Sequence, residues 1–137
     1  MTRMARIFCG ERLEAMPLVY EELSYQVRGA LYEVYNTLGP GFREETYKLA
    51  VLNELGRRAI PAVREVDCEV LYKDVVIDMY RADIVVDAKI ILELKAADEL
   101  HPRNIAQLIS YLKASGLRVG MLVNFGNDRI QIIRKVN

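Results

Sequence analysis

The hydrophobic pattern changes its period at Pro61, and this change constrains the fold more than any other feature of the sequence. Before Pro61, apolar residues recur every three or four positions, as on one face of an α-helix. From Glu65 to Tyr72, apolar and polar residues alternate, which is typical of a half-buried β-strand. The pattern therefore predicts helices before Pro61 and a sheet after it.

Two helices are predicted before the change. The first begins at Pro17, which suits the first turn of a helix, and ends at Leu38, before the sequence GPG. The second spans residues 43 to 58, and its apolar stripe is headed by Glu44. A carboxylate on an inward face needs a reason. Either Glu44 has a function there, or it complements the exposed amides of the first turn.

The second half of the chain predicts a mixed sheet interrupted by one helix. Runs at 65–72, 75–86 and 89–96 form a three-stranded meander. Pro102 then opens a third helix that ends at Gly116, and two short strands follow, at 117–125 and 129–136. Because this helix connects two strands, the strand after it is expected to run parallel to the strand before it. The predicted class is α/β (α+β), in the order α-α-β-β-β-α-β-β.

Length and charge limit the classes of protein that this chain can represent. With 137 residues, it is predicted to form one domain at 17–137, preceded by an extension at 1–16. Neither an apolar run that could span a bilayer nor a secretory signal is found, so a cytoplasmic location without membrane contact is expected. The formal net charge is zero, so any binding of nucleic acid must come from a local patch.

Asp83, Glu93 and Lys95 are ionisable residues within the two apolar strands of the sequence YRADIVVDAKIILELKA. In a hairpin with an odd loop centred on Ala88, Asp83 lies opposite Glu93, with Cβ atoms about 5 Å apart. Two carboxylates this close need a cation between them or a proton on one of them. Their oxygens suit Mg²⁺ or Mn²⁺ better than zinc. Lys95, on the same face as Glu93, can then position water or stabilise charge on a phosphate, although a structural salt-bridge cluster stays an alternative.

The third helix adds two polar side chains. Gln107 and Tyr111 are one turn apart, on a face separate from the apolar stripe, and both can hydrogen-bond to a phosphate or to a catalytic side chain. Taken alone, such a pair is also ordinary at the boundary of a core. A cysteine hydrolase built on Cys68 and His101 has no further support in the sequence.

Several motifs in the right order resemble the GxxExxY proteins, a family placed in the PD-(D/E)xK superfamily of phosphodiesterases. They are GFREETY at 41–47, the acidic stretch quoted above, and AQLISYL at 106–112. The resemblance covers the chain from about Leu18 to Ile133. It implies a restriction-endonuclease-like PD-(D/E)xK core, a mixed sheet flanked by helices.

The resemblance also implies roles for six residues. Asp83 and Glu93 would bind the metal, Lys95 would be the catalytic lysine, and Glu44 would be a further acid of the metal site. Gln107 and Tyr111 match a Gln-x-x-x-Tyr motif that helps to organise the site and contact the strand.

The function expected from residues and resemblance together is a Mg²⁺-dependent nuclease, with Mn²⁺ as a substitute ion. DNA is favoured over RNA as substrate, and a homodimer is a further expectation because two sites can cut two strands. The alternative is a nucleic-acid-binding or protein-binding module of the same fold with little catalysis. That alternative rests on the zero net charge and on the lack of an obvious DNA-reading element.

Overall fold

Within residues 20–137, three helices and five strands follow one another in the predicted order. The structure is a computed structural model and describes residues 20–137, so the predictions for residues 1–16 and for Pro17 lie outside the described part. The helices are α1 (Glu21–Leu38), α2 (Glu44–Arg57) and α3 (Pro102–Ser115). The strands are β1 (Ala62–Tyr72), β2 (Val75–Val86), β3 (Ile90–Lys95), β4 (Val119–Asn124) and β5 (Gln131–Val136).

The five strands form one mixed sheet in the order β1-β2-β3-β4-β5. The first three strands are an antiparallel meander, and β4 pairs with β5 in the same antiparallel way. Strands β3 and β4 are parallel, because α3 carries the chain back across the sheet between them. The predicted meander and the predicted parallel pair are both confirmed.

Helices cover both faces of the sheet. On one face, α1 and α2 bury their apolar stripes against the sheet, with Leu31, Tyr47, Val51 and Leu55 fully enclosed. On the other face, α3 packs Leu108 and Leu112 against Ile91 and Leu122. Removing these side chains from water supplies the main stabilisation of the fold.

Helix α3 lies close to β4 because of a glycine. A Cβ atom placed on Gly120 would come within 2.7 Å of the Leu108 side chain. Both ends of this helix are capped, since the His101 side chain accepts a hydrogen bond from the backbone N–H of Arg103 and Gly116 is left-handed. His101 is therefore the N-cap residue of this helix.

The loop between α1 and α2 is closed by Tyr47. Its hydroxyl donates to the carbonyl of Gly39 at 2.5 Å and accepts from the backbone N–H of Phe42 at 3.3 Å. Gly41 has φ +111°, which an L-residue rarely adopts. Two of the three residues that define the sequence GxxExxY therefore shape a loop, and they fix where α2 begins.

Candidate active site

The β-ladder is interrupted at Asp83. On one side, β1 pairs Arg64 with Ile84 and Val66 with Ala82, but the residues between them, Glu65 and Asp83, are not paired. Glu65 has φ 56°, a left-handed backbone that is uncommon for a residue other than glycine. On the other side, pairing with β3 ends at Ile84. The backbone of Asp83 is thus released from both neighbouring strands.

Asp83 and Glu93 meet where the ladder stops. The pairs Val86–Ile90 and Ile84–Leu92 are symmetric about Ala88, so the predicted odd loop is confirmed and the same register places Asp83 against Glu93. In place of ladder bonds, the backbone N–H of Asp83 donates to Glu93 Oε2 at 3.3 Å. The backbone N–H of Leu94 donates to Asp83 Oδ2 at 2.8 Å. Each carboxylate is therefore fixed by the backbone of the opposite strand.

Burial makes it unfavourable for Asp83 and Glu93 to be ionised at the same time. Burial first, and the nearby Asp83 carboxylate second, raise the pKa of Glu93 from its ordinary 4.5 to about 8. The backbone N–H of Asp83 and the ammonium groups of Lys95 and Lys48 oppose this shift. Without an added cation, Glu93 is mostly protonated at neutral pH.

Lys48 is a residue of this site that the sequence did not indicate. It extends from α2, and its Nζ lies 3.5 Å from Asp83 Oδ1 while only 12% of its side chain is exposed. Lys95 is half-buried two positions after Glu93 on β3, as predicted. A lysine in the middle of an amphipathic helix is ordinary, so only the packing of α2 beside β2 reveals this contact.

Tyr111 lies near the acid pair and stacks on Tyr80. The two rings are 3.7 Å apart between centroids, and the Tyr80 hydroxyl donates to the Tyr111 carbonyl at 3.0 Å. Burial raises the pKa of Tyr111, and the charges of Glu93 and Asp83 raise it further. Its partner in the predicted motif, Gln107, is exposed one turn away on α3.

Glu44 is the first residue of α2, and it is exposed. The stripe that it heads is buried as predicted at Tyr47, Val51 and Leu55, but within residues 20–137 the Glu44 side chain makes no hydrogen bond or ion pair. Its predicted inward placement is therefore not observed. The periodicity placed Glu44 at the head of the stripe, but it does not tell how far neighbouring elements extend over the end of a helix.

Arg81 does not pair with an acid of the site. Its guanidinium binds Asp67 at 2.8 Å across the β1–β2 hairpin, and both side chains are more than half exposed.

The donors of the site fit a hard divalent cation. Among residues 20–137, no group of three or more His, Cys, Asp or Glu side chains could hold a metal ion, so Glu44 does not join Asp83 and Glu93 in a three-acid cluster. Two neighbouring carboxylates are sufficient for an ion such as Mg²⁺, which keeps several of its waters and takes one or two protein carboxylates. A bound cation would also offset the charge that burial makes costly at Glu93.

The chain is similar to a family of known proteins and to a solved structure. A family model described as the PD-(D/E)XK nuclease superfamily matches residues 21–136. No curated protein matches the chain. A crystal structure of SSO0001 is similar, with a TM-score of 0.48 and 22% identity over 68% of this chain, and the match spans 49% of that structure. None of the helices within residues 20–137 has the length and apolarity to cross a membrane.

Proposed function

This chain belongs to the PD-(D/E)XK nuclease superfamily, and from that premise we propose that it is a metal-dependent nuclease that hydrolyses phosphodiester bonds in DNA. Its mixed sheet flanked by helices is the restriction-endonuclease-like fold. Nucleases of this superfamily act on nucleic acid and generally use divalent metals. The choice of DNA and of Mg²⁺ or Mn²⁺ is our proposal.

The observation that carries the proposal is the Asp83–Glu93 pair. Two carboxylates lie side by side at the break in the ladder, and each accepts a hydrogen bond from a backbone N–H. Burial of Glu93 raises its pKa to about 8, which costs stability at neutral pH. A cation bound between the two side chains would account for this arrangement, because it offsets the charges of both carboxylates.

Asp83 and Glu93 are the residues that would hold the ion. When bound, a divalent ion supplies an activated water and neutralises charge on the phosphate. Lys95 follows on the same face as Glu93, and its ammonium stabilises the negative charge that develops on the phosphate oxygens. The backbone N–H of Leu94 keeps the Asp83 carboxylate in one orientation throughout.

The residues on the helices contact the substrate in this proposal. Tyr111 is half-buried beside the acid pair, so its hydroxyl is placed to donate to a phosphate oxygen. Gln107 and Glu44 are exposed, so both side chains are free to bind the strand or its bound water. In this proposal Glu44 contacts the substrate instead of binding the metal.

A binding module with little catalysis is the second candidate. The observation that favours it is the absence of a third metal-binding side chain beside Asp83 and Glu93 in the described part of the chain. Such a module would bind DNA equally well with Gln in place of Glu93. The GxxExxY assignment, the single domain at 17–137, the cytoplasmic location and the homodimer stay predictions.

Calorimetric titration with MgCl₂ and MnCl₂ tests the nuclease proposal. The wild type, Asp83→Ala and Glu93→Ala are compared, and the same samples are incubated with labelled single-stranded DNA, double-stranded DNA and RNA. Asp87→Asn is the matched control, because Asp87 belongs to the same hairpin but pairs with Lys89 outside the site. Loss of both binding and cleavage in the two alanine variants alone supports the proposal. Cleavage that survives in Glu93→Ala contradicts it.

A further inference from the structure

We propose that Lys48 is a positioning residue for Asp83, which fixes the orientation of that carboxylate and balances its charge until a divalent cation binds. The inference rests on the proposed function, because it assigns Asp83 to the metal. Asp83, Glu93 and Lys95 lie on strands. Lys48 lies on α2 and reaches Asp83 from that helix.

Both oxygens of Asp83 have a partner, a hydrogen-bond donor at one and an ammonium group at the other, and the two partners come from different elements. Oδ2 accepts the backbone N–H of Leu94 on β3 at 2.8 Å. Oδ1 lies 3.5 Å from Nζ of Lys48 on α2. The hydrogen bond at one oxygen restrains rotation about the Cβ–Cγ bond of Asp83, and a charged partner at the other oxygen restrains it further. Lys48 therefore supplies the second constraint.

The position of Lys48 is itself well defined. The preceding residue, Tyr47, is fully buried, stacks on Phe125 at 4.4 Å and closes the loop before α2. The Lys48 side chain is only 12% exposed, so its methylene groups are packed and its charge is partly removed from water. A lysine placed in this way needs an anionic partner.

Asp83 is the closest partner of Lys48. Glu65 and Glu45 lie further from Nζ, at 3.6 and 3.9 Å. Both of these glutamates are bound more tightly by Arg64, at 2.8 Å each. Since Arg64 compensates Glu45 and Glu65, the charge of Lys48 is available to Asp83.

This arrangement gives Lys48 two effects of opposite sign. Its positive charge repels a divalent cation at Asp83, which lowers metal affinity. Its contact fixes the carboxylate, which favours the geometry needed for cleavage. Removal of the charge should therefore strengthen metal binding and weaken cleavage at the same time. Removal of a residue that only stabilised the fold would weaken both metal binding and cleavage.

The test is calorimetric titration of Lys48→Met with MgCl₂ and MnCl₂, followed by DNA cleavage at saturating metal. We expect Mg²⁺ affinity to rise about three- to tenfold, since the repulsion is partly screened by solvent. We expect kcat to fall by about tenfold or more, because the ligand orientation is lost. Lys48→Arg should return both quantities towards the wild type, because it restores the charge.

Lys89→Met is the matched control. It removes another lysine that pairs with an aspartate, at 3.1 Å, in the turn between β2 and β3. Neither metal affinity nor cleavage should change in that variant. If Lys48→Met does not fold, as judged by circular dichroism, Lys48→Gln carries the same test.

A Lys48→Met protein with weaker metal binding, or with unchanged binding and cleavage, overturns the positioning role. The failure of the nuclease proposal has a different signature. In that case Asp83→Ala binds Mg²⁺ as the wild type does, whatever the result at Lys48.

Discussion

The strands and the helices contribute to this site in different ways. Asp83 and Glu93 stand on β2 and β3, half-buried and fixed by backbone N–H groups at 2.8 and 3.3 Å. Glu44 and Gln107 stand on α2 and α3, exposed and without any such bond in the described part of the chain. In the proposed function, the sheet thus provides a preorganised place for a cation, and these helix residues provide groups that adjust to a substrate.

The largest effect is expected at the strand acids. Glu93→Gln keeps the shape of the side chain but removes the charge that a cation needs, so cleavage should fall by about a thousandfold or more. Calorimetry should show Mg²⁺ binding weakened in parallel. Asp87→Asn, in the same hairpin, should retain full activity. A Glu93→Gln protein with normal cleavage would mean that the strands do not form the catalytic centre.

The pH dependence of stability should also distinguish the strand acids. The pKa of Glu93 is about 8 in the folded protein and ordinarily 4.5. The folded state therefore binds more protons between these values, so the stabilising contribution of Glu93 is full below pH 4.5 and is lost as pH rises towards 8. The loss should be on the order of a few kcal/mol in urea unfolding without added metal.

Glu93→Gln should abolish this part of the pH dependence, because the amide does not titrate. At pH 8 the variant should be more stable than the wild type without metal, although it is inactive. Equal slopes for the two proteins between pH 5 and pH 8 would show that Glu93 is not the group that titrates.

A smaller effect is expected at Lys95. Lys95→Gln should slow cleavage by about a hundredfold, because the ammonium stabilises charge on the phosphate, while Mg²⁺ affinity stays the same or rises. Cleavage at saturating Mg²⁺, together with calorimetry, measures both quantities. A loss of metal binding in this variant would instead make Lys95 part of the framework of the acid pair.

The smallest effects are expected at the two exposed helix residues, Glu44 and Gln107. Glu44→Ala and Gln107→Ala should each change cleavage by no more than about tenfold, mainly through KM, and leave Mg²⁺ affinity unchanged. Steady-state kinetics with labelled DNA separates KM from kcat. Abolished Mg²⁺ binding in Glu44→Ala would contradict the contrast between strands and helices, because Glu44 would then be a ligand.

The register of the strand acids could be predicted because it depends on local rules. A three-residue turn centred on Ala88 determines which residues of β2 and β3 face each other, and the alternation of faces then places Lys95 beside Glu93. The third helix likewise required a parallel pair of strands. These steps need only the sequence of one hairpin and one crossover.

Lys48 and Glu44 could not be assigned in this way. The contact of Lys48 with Asp83 depends on how α2 lies over β1 and β2, which periodicity does not define. The left-handed backbone of Glu65, which accompanies the break in the ladder at Asp83, has no signal in the sequence because glutamate rarely adopts it. Each of these features arises from tertiary packing.

The central claim is that Asp83 and Glu93 form a pair that needs a cation. The most direct test follows the side-chain carboxyl carbon of Glu93 by ¹³C NMR during a pH titration, with and without saturating Mg²⁺. We expect the pKa of Glu93 to be near 8 without metal. With Mg²⁺ this pKa should fall by about two or more, since a bound cation favours the ionised form. A pKa near 4.5 in both titrations would contradict the claim.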